Sequence, residues 1–192
     1  ASVTSIGVEA FKNATNLTTV SFEDISNSKL TNIYYGAFWG ATALTSITIP
    51  KSVIGIYDSA FKSTTILTTV TFDDISNSQL THIYGATGSG NNDYDDDVWT
   101  TGAFYKSGLT SIIIPASVQT IGRNTFRDTS LNTVTFQPDS SLNTLYFGAF
   151  SGCTALTSIT IPKSVVLASQ YLFNGCDALQ TVEFEEGTGL TA

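Results

Sequence analysis

Basic residues are scarce in this chain. Eight Lys and Arg stand against sixteen Asp and Glu, a formal net charge of −8 over 192 residues. The sequence shows no basic stripe to neutralise phosphates, so nucleic acid is not an expected partner. An anionic membrane surface is disfavoured on the same ground. Charge of either sign is thin. At 12%, charged residues reach about half their usual share, so Thr, Ser and Asn must fill the solvent-facing positions. No apolar run approaches the roughly 18 residues of a membrane-spanning helix, and residues 1–10 lack the basic start and apolar centre of a signal peptide. Methionine is absent, and the chain is therefore expected to be a piece of a longer one. Two cysteines, Cys153 and Cys176, are too few for a disulfide framework.

Catalytic apparatus is missing too. His82 is the single histidine, and no Gly-x-Ser-x-Gly, His-Glu-x-x-His, Cys-x-x-Cys or phosphate-loop motif occurs. Without a base beside a nucleophile the many hydroxyls stay unactivated, and the chain is expected not to be an enzyme.

What is present is a repeat. Seven segments end in Phe: Phe11, Phe38, Phe61, Phe104, Phe126, Phe150 and Phe173, at intervals of 27, 23, 43, 22, 24 and 23 residues. Each Phe is followed five or six residues later by Leu, then by apolar residues at the third and fifth positions beyond it. The runs are 17–22, 44–49, 67–72, 109–114, 131–136, 156–161 and 179–184. Their β-branched alternation favours short strands with every second side chain turned inward. A second apolar pair precedes the next Phe, as in Val118 and Ile121. A single coil cannot bury so many apolar side chains, whereas stacked coils can, with strands pairing in parallel and like residues in columns. The expected fold is a solenoid of about seven coils of roughly 23 residues, with turns and short irregular or helical pieces, spanning residues 1–192 as one domain.

Two further regularities refine this reading. Runs ending in Phe continue into Glu, Asp or Gln, while those ending in Ile are followed by Pro50, Pro115 and Pro162. The underlying unit is therefore a pair of coils about 48–50 residues long, and residues 22–30 recur almost unchanged at 72–80. The single long interval comes from an insertion at about 85–101, rich in Gly, Asn and Asp, after which the solenoid resumes in register.

Leu-Thr-Ser-Ile-x-Ile-Pro-x-Ser-Val-x-x-Ile ending in Phe, at 109–126 and more loosely at 44–61, resembles the BspA-like leucine-rich repeat family, as does Gly-Cys-x-x-Leu at 152–156 and 175–179. The resemblance implies a leucine-rich-repeat solenoid, an extracellular or cell-surface location and a role in adhesion to proteins or other cells. It brings no catalytic residues with it. The sequence departs from the pattern at Thr125 and Leu172, where Ala should precede Phe, and in the acidic insertion. Residues 1–7 match 116–122, so both ends are expected to fall inside a repeat, leaving open ends suited either to flanking coils or to end-to-end self-association.

Candidate ligand-binding residues are the outward positions of the strands: Thr19, Ser21, Ser46, Thr48, Thr69, Thr71, Ser111, Ile113, Thr133, Thr135, Ser158 and Thr160. Small hydroxyls there suit a protein backbone or a glycan, although Thr also simply suits an exposed strand. In the insertion, Tyr94 and Trp99 are candidate interface anchors. Asp93, Asp95 and Asp97 imitate the start of a calcium loop, but Phe104 occupies the position of the closing Glu, and a solvated acidic loop is the plainer reading. No cofactor other than calcium is suggested. Cys153 and Cys176 share a column with Ala14, Ala41 and Thr64 and are expected to be small buried thiols; a bridge between coils is the alternative. Asn13 and Asn16 head glycosylation sequons that matter only in a secreted eukaryotic chain.

Overall fold

The structure, a computed structural model, describes residues 2–85 and 101–187. It is a parallel β-solenoid of about seven coils with almost no helix, and three hydrogen-bonded ladders run along it.

The first ladder joins seven two-residue strands: β1 (Ser5–Ile6), β2 (Asn32–Ile33), β4 (Gly55–Ile56), β6 (His82–Ile83), β8 (Thr120–Ile121), β10 (Thr144–Leu145) and β12 (Leu167–Ala168). They form one continuous parallel sheet in that order. Ile6, Ile33, Ile56, Ile83, Ile121 and Leu145 occupy one inward column of it.

The second ladder consists of four-residue strands: β3 (Ser46–Ile49), β5 (Thr69–Phe72), β7 (Ser111–Ile114), β9 (Thr133–Phe136), β11 (Ser158–Ile161) and β13 (Thr181–Phe184). Unlike the first, it is interrupted. β3 pairs with β5, β7 with β9 and β11 with β13 over all four residues. β5 meets β7 only at Thr69 and Ser111, and β9 and β11 lie in different sheets. Proline explains the alternation. At each tight junction the residue after the Phe-ending strand donates its N–H to the preceding coil: Asp73 to Ile49, Gln137 to Ile114 and Glu185 to Ile161, at 2.8–3.0 Å. At the loose junctions that donor would be Pro50, Pro115 or Pro162, which has no N–H. In this ladder the 48–50-residue pair read from the sequence is thus a physical unit, closed within and parted from the next pair, although the other two ladders run on across the junction. Run 17–22 faces such a junction with no described coil on its other side, so it joins no ladder.

The third ladder lies at the turns. The N–H of each column Phe donates to a carbonyl of the next coil: Phe11 to Ala37, Phe38 to Ala60, Phe61 to Ala103, Phe104 to Thr125, Phe126 to Ala149 and Phe150 to Leu172, at 2.7–3.0 Å. The seven rings stack at centroid distances of 5.1–5.8 Å, within 12° of parallel. Five of them, from Phe38 to Phe150, are fully buried. Each would contribute about 1.5–3 kcal/mol by burial, plus roughly 0.5–1.5 kcal/mol per ring pair.

The insertion leaves this column undisturbed: Phe61 and Phe104 stack at 5.1 Å and 2°. Just before it, the backbones of Gly85 and Gly122 press together so closely that a Cβ on Gly122 would collide with Gly85 N and one on Gly85 with Arg123 O. Residues 86–100 lie outside the described residues.

Candidate functional site

The long strands expose the expected row. Ser46, Thr48, Thr69, Thr71, Ser111, Ile113, Thr133, Thr135, Ser158 and Thr160 all point to solvent, alternating with buried Ile47, Val70, Ile112, Val134 and Ile159. Pairing aligns Ser46 with Thr69, Thr69 with Ser111 and Ser111 with Thr133, and it sets Thr48 beside Thr71. Thr48 and Thr71 already share a hydroxyl–hydroxyl hydrogen bond of 3.0 Å. Thr19 and Ser21 are exposed too but stand outside the sheet. Between β9 and β11, where the ladder is parted, a cleft of about 280 Å³ opens, lined by Thr133, Thr135, Ser158, Thr160 and Glu185 among others. Hydroxyl side chains from both strands therefore line the same cleft.

The other expected sites are placed as follows. Tyr94, Trp99, Asp93, Asp95 and Asp97 lie outside the described residues. Cys153 and Cys176 are buried and unbridged. Their Sγ atoms donate to the Phe126 and Phe150 carbonyls at 3.2 and 3.1 Å, much as the Thr64 and Thr129 hydroxyls of the same column donate to Phe61 and Phe126. Hydrogen bonding with Cys176, and then burial, push the Cys153 thiol far above its ordinary value. His82 is half-buried; its Nδ1 lies 2.7 Å from Thr81 Oγ1 and its ring stacks on Tyr84. Asn13 and Asn16 are exposed. Among the described residues no three His, Cys, Asp or Glu side chains converge as metal ligands, and no helix is long and apolar enough to cross a membrane.

Two surface features were not read from the sequence. Tyr34, Tyr57 and Tyr84, each just after an inward Ile, line up along the short-strand face, the first two tilted at 5.0 Å and 41° and the last two stacked at 4.6 Å. Burial raises the Tyr84 phenol above its ordinary value. The second feature lies at the turns, one residue after the column Phe, where Lys12, Trp39, Lys62, Tyr105 and Arg127 alternate cation with ring. Lys12 and Lys62 each place Nζ 4.2 Å from the Trp39 ring centre, and Lys62 and Lys106 stand over Tyr105 at 5.7 and 5.2 Å. Listing the residue after each Phe would have revealed this column. What it builds depends on the coils being neighbours.

Comparison with known proteins agrees with the geometry. The BspA type leucine rich repeat region matches residues 1–87 and 100–191, in six copies. Among solved structures, the pneumococcal vaccine antigen PcpA is similar at 27% identity and a TM-score of 0.62, over 97% of this chain and 37% of that one. A leucine rich cell surface protein from Faecalibacterium prausnitzii is similar at 25% identity and 0.52, over 95% and 58%. A leucine-rich repeat protein from Bacteroides ovatus is similar at 29% identity and 0.52, over 88% and 44%. The chain thus spans 37–58% of the length of these three. No curated protein matches it.

Proposed function

The chain belongs to the BspA-type leucine-rich repeat family, and from that premise we propose that it is a non-enzymatic binding scaffold at the cell surface, holding an extracellular protein or glycan on its long-strand face. The observation that carries this reading is the in-register row of outward Ser and Thr, interrupted between β9 and β11 by a polar cleft. A sheet of outward hydroxyls suits a ligand rich in hydrogen-bonding groups, and mounting them on stacked coils lowers the ordering cost of binding. The description of a similar protein as a cell surface protein supports the location.

The test is solid-phase binding to a panel of matrix proteins and neutral glycans. It compares the whole chain with Thr135→Glu/Thr160→Glu and with a chain lacking residues 86–101. Loss in the double variant alone supports the strand face. Loss only with the deletion moves recognition to the insertion and to Tyr94 and Trp99, and would make calcium dependence through Asp93, Asp95 and Asp97 the next question.

A second reading rests on the two ends of the solenoid. Val3, Val8 and Phe11 at one end, and Leu167, Tyr171 and Phe184 at the other, are 42–64% exposed. The first end also holds a cleft of about 430 Å³ lined by Ile6, Phe11, Val20 and Phe22. End-to-end stacking into a structural filament would cover both. Concentration-dependent sedimentation, with no binding to the panel, would favour this reading over the first.

A further inference from the structure

The turns carry a charge distribution opposite to that of the rest of the molecule. Lys12, Lys62, Lys106, Arg123 and Arg127, five of the eight basic residues, fall within three residues of a column Phe. Twelve acids remain when Asp93, Asp95, Asp96 and Asp97 are set aside from the sixteen, and only Glu9, Asp58 and Asp128 share this edge. Five cations less three acids leave about +2 on one edge, while the eight basic and twelve acidic residues counted on the same footing leave −4.

The cations are also held in line. Trp39 is gripped on its ring by the ammonium groups of Lys12 and Lys62. Tyr105 receives Lys62 and Lys106, and the Arg123 guanidinium stands 5.8 Å from the Phe147 ring. Cation–π contacts of this kind fix otherwise flexible stems, so much of the entropy a lysine loses on meeting a ligand is already spent. The acids offset the strip only in part: Asp58 faces the charge of Lys62, and the other two pairs are exposed. Glu9 pairs with Lys12 at 2.6 Å and Asp128 approaches Arg127 at 3.8 Å, both with the partners substantially exposed, where ion pairs are weak and exchangeable.

We propose that this turn edge is a docking strip for a linear acidic polysaccharide carrying about one anionic group per disaccharide. Spacing favours that class. Coils repeat at roughly 4.8 Å, and Lys12, Lys62 and Arg127 sit on alternate coils, so cations recur roughly every 10 Å along a straight line. Duplex nucleic acid presents a phosphate about every 1.7 Å, far denser than this strip can match. A globular acidic protein would meet a row only one or two residues wide with a surface of irregular charge, whereas a regular polymer stays in step with a regular solenoid. The inference is independent of the strand-face reading, since the strip occupies the turns.

The experiment uses hyaluronan as the probe, with the whole chain in a Trp99→Phe background so that Trp39 is the only indole. Affinity electrophoresis compares K12Q/K62Q/R127Q with K29Q/K51Q/K163Q, two variants of equal net charge. Retardation at low salt, abolished at high salt, is expected for the parent and the second variant. Binding roughly tenfold weaker or more is expected for the first, as three contacts to the polymer are lost. Trp39 emission should change as the polymer's carboxylates approach the two ammonium groups held on its ring, and circular dichroism should show both variants folded. Absence of retardation, equal weakening in the two variants, or equal binding to polyglutamate or duplex DNA would each overturn the proposal.

Discussion

Gln137 Oε1 accepts a hydrogen bond from the backbone N–H of Ala116, 3.1 Å away and one coil back. Glu185 Oε2 does the same for Lys163 at 2.9 Å. Both N–H groups follow a proline that ends an Ile strand, Pro115 and Pro162. The acceptor residue follows the Phe strand of the next coil. At Pro115 and Pro162 the alternation of Ile-Pro with Phe-Gln or Phe-Glu is therefore one device, in which the amide beyond the proline is satisfied by its pair partner; at Pro50 the equivalent Asp73 leaves Oδ2 buried without a partner among the described residues. Gln137→Leu should lower stability by about 1 kcal/mol, while Gln137→Glu should stay near the parent. Urea melts of the three proteins would decide it. Equal midpoints would mean that the contact is incidental.

Gly122 offers a prediction that runs against its own column. Tyr34, Tyr57, Tyr84 and Tyr146 occupy the equivalent position in other coils, so repeat consensus recommends Tyr at 122. The backbones of Tyr84 and Gly85 leave no room even for a Cβ there. Gly122→Ala should cost about 2 kcal/mol or more by overpacking against main chain that cannot yield. Gly7→Ala, with nothing within 4 Å of the new Cβ, should be neutral or better. Thermal midpoints of the two variants test the contrast.

Asp58 should make stability depend on pH. Burial pushes its carboxyl from 3.8 up to about 6, against the opposing pull of hydrogen bonds from Ser59, the charge of Lys62 and a hydrogen bond from Gly102. Between about pH 4 and pH 6 the folded chain then holds a proton that the unfolded chain has released. Stability must fall as pH rises through that window and level off above it. The rise is worth about 2–3 kcal/mol. Asp58→Asn should flatten this slope and be the more stable protein at pH 7. Denaturant titrations of both proteins at pH 4 and pH 7 measure the difference directly, and parallel pH profiles would refute the assignment.

Cys153 should behave as an unreactive thiol. Hydrogen bonding with Cys176 and burial raise its pKa, which leaves little thiolate at neutral pH, whereas the same hydrogen bonding lowers that of Cys176. Both thiols should react with Ellman's reagent promptly in guanidinium, and in the native protein Cys153 should be the slower of the two. Cys153→Ala should cost about 1 kcal/mol, since Ala14 and Ala41 already occupy the same column. An intact mass two hydrogens lighter would reveal a bridge instead.

The sequence by itself determined the solenoid. Phe at near-constant intervals, Leu five or six residues on and strict inward alternation allow no other way to bury so many apolar residues in so short a unit. The same periodicity placed Thr48, Thr71 and Thr135 outward, put Cys153 in a small-residue column and showed the insertion to be a detour. Tertiary structure decided whatever depends on which coil lies beside which. Pro115 shows in the sequence that a strand ends. That its missing N–H parts the sheet, opening a cleft between β9 and β11 at the equivalent Pro162 junction, follows only once the neighbouring carbonyl is in place. Lys12, Trp39, Lys62, Tyr105 and Arg127 are spread over more than a hundred residues and read as scattered charge in an acidic chain. Stacking brings successive coils within about 5 Å of each other, and that proximity turns five unrelated turns into one basic edge.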